Sequence, residues 1–240
     1  MKRLTEAWFE FDGIRSDAMG IYIKQMPVRG MPGRNVNKKK VAGRDGTVTY
    51  GPATYTDITV RIECDVRDET RMDAIAAWLT GRGNLRFSDE PHLMYDASID
   101  REISRSSITP RLTGQRFTVT WTCAPYKRLY PDADSLVIDS NTDSIYNPGT
   151  AFAQPKINII ANGNFSLTIG DQTMFFTDVD KNIELDCAAM EALDQYDHSA
   201  NKQVSGEYFK IQPGINSVSF DVETGSSFTL AVIDPRWRYL

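Results

Sequence analysis

The strongest constraint on the fold is an alternation of apolar and polar residues with a period of two. In Asp57–Asp65 (DITVRIECD), Ile58, Val60, Ile62 and Cys64 fall on one side and Thr59, Arg61, Glu63 and Asp65 on the other. Gln115–Cys123 (QRFTVTWTC) repeats the pattern with Phe117, Val119, Trp121 and Cys123 inward. Successive side chains of a strand point to opposite faces, so both runs predict strands with one buried face and one wet face. A chain built from such runs must stack or curl its sheets to hide the apolar faces. The longest unbroken apolar run, Ala74–Leu79, has six residues. A membrane-spanning helix takes about 20, so none is expected.

One helix interrupts the strands. Asp68 can cap it, Met72, Ile75, Ala76 and Leu79 share a face, and Gly81 stops it, which predicts a helix over about 69–80. Ala7–Phe11 and Ile21–Ile23 read as strands, with the turn pair Asp12-Gly13 between them. Met26–Arg44 holds Pro27, Gly30, Pro32 and Gly33, then Lys38, Lys39 and Lys40. It reads as an extended arm or long loop that carries basic charge, and a loop of that length in a compact domain usually has a job. Gly43-Arg44-Asp45-Gly46 reads as a hairpin turn, a reading compatible with a subunit contact.

The chain divides near residue 130. Residues 1–130 carry 21 Lys+Arg against 16 Asp+Glu, and residues 131–240 carry 6 against 16. Pro125 and Pro131 read as a strand exit and a connector, because proline cannot donate to a ladder. The domains are therefore placed at 1–130 and 147–240, with 131–146 as linker and the last residues free to pack back on the first domain. In the second part the expected strands are Lys156–Ile160, Phe165–Ile169, Thr173–Phe176, Ile183–Asp186, Glu207–Ile211, Ile215–Val222 and Ser227–Ile233. Asn162-Gly163-Asn164, Gly170-Asp171-Gln172 and Pro213-Gly214 supply turns, and Ala188–Val204 reads mainly as a loop. Short strands at even spacing indicate a sandwich or jelly roll.

Chemistry is sparse. His92 and His198 stand alone, each in a loop-like stretch. No nucleophile elbow, HExxH, phosphate loop or dinucleotide fingerprint occurs. Asp178, Asp180 and Asp186 lie close enough to suggest calcium but match no calcium-loop spacing. Cys64, Cys123 and Cys187 are widely spaced with no CxxC pair, which argues against a disulfide scaffold and zinc and fits a reducing cytoplasm. Glu6 and Glu10 interrupt Met1–Glu10 behind Lys2 and Arg3, so no secretory signal is read there. These features predict a non-enzyme with no cofactor and no metal. Sugars stack on exposed aromatic rings, and no Trp lies between 131 and 236, so Tyr146, Tyr196 and Tyr208 are the candidates. Tyr196, in the long loop, is the best placed.

The order of short signatures resembles the distal tail protein family of long-tailed, non-contractile (siphovirus-type) bacteriophages. The stretches are Phe9–Gly13 with Gly20-Ile21, then Ala42–Gly46, then Ala77-Trp78-Leu79 followed by Gly83–Pro91 and Tyr95. Phe117–Tyr130 with Cys123-Ala124-Pro125-Tyr126 follows, then Asn147–Thr150 leading to Pro155-Lys156-Ile157. Gly206–Phe209 and Pro213–Asn216 close the series. Arg29–Lys40 and Ala188–Lys202 follow no pattern of the family.

The resemblance implies a mainly β fold. It comprises an N-terminal β-barrel or sandwich-like domain with one helix, and a C-terminal galectin-like or carbohydrate-module-like β-sandwich. It implies a structural virion protein of the tail tip, a hexameric ring joining the tail tube protein to the tail hub and receptor-binding components. Such a ring is assembled in the host cytoplasm, lets DNA through without holding it tightly, and meets no membrane. Pro27, Lys38, Lys39, Lys40, Arg44 and Asp45 are then the candidate contacts with another subunit or an acidic partner. The alternative is an adsorption module that grips host polysaccharide, with Tyr196 as the sugar contact. A tube subunit is a third possibility, against which the long second domain argues.

Overall fold

The computed structural model describes residues 7–100, 103–107, 115–139 and 143–240. Its chain forms two compact units, Met1–Lys127 with Leu240 and Arg128–Tyr239. Each encloses a hydrophobic core of its own.

The first unit is built on an eight-stranded sheet. Its strands are β1 (Phe9–Phe11), β2 (Ile14–Arg15), β3 (Ile21–Ile23), β6 (Ile58–Val66), β7 (Gly81–Phe87), β8 (Glu90–Ile99), β9 (Ser104–Ser107) and β10 (Gln115–Leu129). Their order is β2-β1-β7-β8-β10-β6-β3, with β9 also on β10. The two alternating runs pair antiparallel, from Gln115 opposite Val66 to Cys123 opposite Ile58. Every inward residue named from the alternation, Ile58 to Cys64 and Phe117 to Cys123, is buried. Asp12-Gly13 makes the turn from β1 to β2, with φ of 48° and 78°. Two left-handed residues suit a tight hairpin, which is why Asp-Gly serves there.

Over the sheet lies α1 (Met72–Trp78), preceded by a 3-10 turn at Glu69–Arg71. The α-helix is shorter than the expected 69–80. The Asp68 carboxylate accepts from the Thr70 N–H (3.1 Å) and hydroxyl (2.6 Å), so it caps the 3-10 turn and not the α-helix. Met72, Ile75 and Leu79 are buried beneath it. Trp78 stacks on Phe9 at 5.7 Å, and its indole N–H donates to the Phe11 carbonyl at 2.9 Å.

Three further expectations change, two in this unit and one at the start of the second. The Met26–Arg44 segment is not a bare loop: Arg34–Lys40 (β4) pairs antiparallel with Thr47–Tyr55 (β5), and the turn falls at 41–46. Lysine-rich β4 has little apolar alternation to announce it. Pro125 does not end its strand, because β10 continues to Leu129. Pairing with β6 stops at Cys123, so β10 is single-sided on that flank and tolerates a missing N–H. Residues 131–146, expected as linker, contain β11 (Leu136–Ile138) and β12 (Ser144–Asn147), which join sheets of the second unit.

The second unit turns about β13 (Lys156–Ile169). Asn162-Gly163 looks like a hairpin turn, yet the strand passes through it with a bulge, Gly163 at φ 82°. A bulge uses the same positive-φ residue as a hairpin turn, so the dipeptide signal does not distinguish them. The first half of β13 pairs with β15 (Asn182–Asp186) and β19 (Ser227–Asp234). The second half pairs with β14 (Gln172–Val179) and β18 (Gly214–Val222). β16 (Glu191–Asp194) and β17 (Val204–Gly206) lie inside the expected 188–204 loop and at its end. Glu207–Ile211 makes only the isolated bridge Ile211–Ala153. The mainly β class with one helix, in two β-built units, agrees with the sequence expectation.

Candidate assembly surface

Two features of the first unit combine into an exposed, positively charged projection. Residues 24–33 form a strap between β3 and β4. Pro27 is buried. The Arg29 side chain is 13% exposed, and its guanidinium lies 4.7 Å over the Phe87 ring. Its Nη1 donates to Asp89 Oδ1 at 2.9 Å, and Nη2 donates to Asp89 Oδ2. Glu90 stands 3.8 Å from Arg29, and Lys127 Nζ reaches the same carboxylate at 3.4 Å. Burial pulls the Arg29 pKa down, but the Asp89 hydrogen bond and charge outweigh it, so the cation is held more firmly than usual. Tyr95 beside it is desolvated, which pushes its phenol up to about 12. Val28 and Met31 point the other way and are 85% and 86% exposed. An open cleft of about 460 Å³ runs between the strap and β6, lined by Lys24, Met26, Val28, Thr59, Arg61 and Glu63.

Beyond the strap stands the β4–β5 hairpin. Lys38, Lys39 and Lys40 face Thr49, Val48 and Thr47 across the ladder, and all three lysines are exposed. Arg44 and Asp45 are exposed in the turn. None of the hairpin's described side chains enters the unit's hydrophobic core. Its root is tied by the Thr56 N–H to the Gly33 carbonyl at 2.8 Å, and by Tyr55 edge-on to Tyr126 at 5.7 Å.

The candidate contacts therefore separate. Lys38, Lys39, Lys40, Arg44 and Asp45 share the hairpin, whereas Pro27 is buried and anchors the strap. Arg29 and its carboxylates Asp89 and Glu90 were not legible: nothing in an Asp-Glu pair 60 residues downstream announces a clamp for one arginine.

In the second unit, Tyr196 tips a tight loop after β16. Asp194 Oδ1 accepts the N–H groups of Tyr196 (2.8 Å) and His198 (2.9 Å), and these hold its carboxyl below the usual range. Tyr196 is 67% exposed, with its ring centroid 6.2 Å from that of His198. Two of the three aspartates weighed and set aside as calcium ligands are otherwise engaged. Asp186 takes the Arg236 guanidinium at 3.1 Å, and Asp180 accepts from Gln195 at 2.8 Å. Among the described residues no three His, Cys, Asp or Glu side chains gather as a metal site. Nor is any helix there long and apolar enough to cross a membrane. Cys64, Cys123 and Cys187 are buried free thiols, pushed up by desolvation, Cys123 and Cys187 to about 12.

No model of a known protein family matches the chain, and no curated protein matches it. A solved structure does: it superposes with a TM-score of 0.75 at 13% identity, over 98% of this chain and 99% of the other. The fold is that of SPP1 Dit. That protein is described as a paradigm of the hub adsorption apparatus in phages infecting Gram-positive bacteria. The likeness to SPP1 Dit runs through both units.

Proposed function

We propose that this chain is a structural component of a phage tail tip. The observation that carries the reading is the fold shared with SPP1 Dit over nearly the whole length of both chains. In this reading the chain builds a hexameric ring that joins the tail tube protein to the tail hub and receptor-binding components of the virion. The ring is assembled in the host cytoplasm before release. The exposed hairpin with Lys38, Lys39, Lys40, Arg44 and Asp45 is its contact with a neighbour, held out by the strap that Pro27 and Arg29 anchor. The reading needs no catalytic group and no tight hold on DNA, since multiple phosphate contacts would stall a passing duplex.

Light scattering after size exclusion tests it. Six copies of the 27.0 kDa chain give about 162 kDa, and rings in negative stain are the expected result. A chain that stays at 27.0 kDa and is absent from purified virions defeats the reading.

A second reading, polysaccharide adsorption, is favoured by one observation: the Asp194-clamped loop displays Tyr196 with little conformational entropy left to lose. Six weak sites on one ring would add by avidity. Loss of glycan-array binding in Tyr196→Ala is the expected outcome. An unchanged profile removes this reading.

A further inference from the structure

We propose that the open edge of β5 accepts a short edge strand from the acid-rich second unit of another copy of this chain. The inference rests on the ring reading above and names the contact that closes the ring.

Four observations carry it. First, β4 and β5 form a two-stranded sheet with no third strand among the described residues. An isolated hairpin is marginal in water, and this one puts none of its described side chains in a core. Second, its two edges differ in kind. β4 (RNVNKKK) carries four cations in seven residues, and β5 (TVTYGPATY) carries none in nine. Lysines along an edge repel an incoming strand, whereas β-branched and aromatic residues welcome one. Pro52 has no N–H, so the usable edge is Thr47–Tyr50, with Tyr50 55% exposed. Four residues at roughly 3.4 Å each make an edge of about 14 Å.

Third, the second unit ends its sheets on strands of that length. β11, β12 and β17 have three or four residues each, and among the described residues each pairs with one strand only. Asp134 and Asp139 flank β11, Asp143 precedes β12, and Glu207 follows β17. Fourth, the charges are complementary within the chain itself. Residues 131–240 carry 16 acidic against 6 basic residues, opposite to the hairpin. A strand added to β5 lies two strand spacings, about 10 Å, from the lysines of β4. That is about one Debye length at 0.1 M salt, so the acidic flanks are drawn in and the incoming backbone pairs with the uncharged edge. A hairpin meeting a different patch on the next copy is a heterologous contact, the kind that closes rings.

The test uses the full chain in three forms: wild type, Thr49→Lys, and the triple variant Lys38→Glu, Lys39→Glu, Lys40→Glu. Thr49→Lys puts a charge on the β5 edge, opposite the exposed Lys38, and touches no described core residue, so the melting transition of the first unit's core should stay within a few degrees of wild type. The expected wild-type mass is about 162 kDa. Thr49→Lys should run at 27.0 kDa, and the triple variant should need at least tenfold more protein to assemble. Rings that persist in Thr49→Lys overturn the inference and leave the ring reading standing. Assembly lost in the triple variant but kept in Thr49→Lys assigns the contact to charge alone and also overturns it. A wild type that is monomeric at every concentration gives the edge to a strand of a different protein and overturns self-pairing. Detection of the chain in purified virions then judges the tail reading separately.

Discussion

Trp121 sits fully buried between Phe9, 5.1 Å away and edge-on, and Phe11 at 6.4 Å. Its indole N–H has no hydrogen-bond partner among the described residues. Burying an unpaired donor costs about 1–3 kcal/mol, which offsets part of what the ring contributes by packing. Trp121→Phe should therefore cost no more than about 2 kcal/mol, against about 3–5 for Trp121→Ala. Urea unfolding curves of the three proteins compare these directly. Asp186 provides a pH signature. Burial raises its pKa, but the N–H groups of Ala189 and Ala188 and the Arg236 guanidinium outweigh that and leave it depressed. Folding thus lowers the pKa from an unfolded value of about 3.9. The contribution is fully present above that value and is lost as pH falls through the folded one. Asp186→Asn should flatten the acid limb of stability below about pH 4 and lower stability at pH 7.

At the scale of elements, Gly163 decides the course of β13. Its φ is 82°, and a Cβ there would stand 2.3 Å from Ser226 Oγ, which accepts the Asn164 N–H at 2.8 Å. Gly163→Ala should destabilise the second unit by about 1–3 kcal/mol and leave the first unit's transition in place. Differential scanning calorimetry separates the two. Arg29→Ala should act conversely, lowering the first unit by about 1–3 kcal/mol, since Asp89 and Glu90 lose their half-buried cation and Phe87 loses the guanidinium packed over its ring. Elements with strong alternation were legible in the sequence: β6 and β10 stand where DITVRIECD and QRFTVTWTC put them. Elements held by pairing alone were not. β4 is mostly cationic, β16 is EALD with an acid at each end, and β11 and β12 are too short to show a period. The charge run Lys38–Lys40 and the Arg44-Asp45-Gly46 turn are local signals, so the sequence points to the hairpin that carries the candidate surface. The Arg29 clamp joins residues 60 apart, and no local pattern reports such a pair.

In the whole molecule, every thiol is buried and desolvated. None of the three should react with iodoacetamide in the folded chain, and all three should react in denaturant, because the thiolate is the nucleophile and burial suppresses it. Partial alkylation of the native chain would show that one core opens on the timescale of labelling. The two units also differ in how they can yield. In the second, a single strand carries both ladders, with β19 and β15 along Lys156–Ile160 and β14 and β18 along Phe165–Ile169. No seam exists along which one sheet could peel from the other while β13 stays whole. A pull along β13 is met in shear by four neighbours at once, so the unit should resist traction as a block and give way in one rupture.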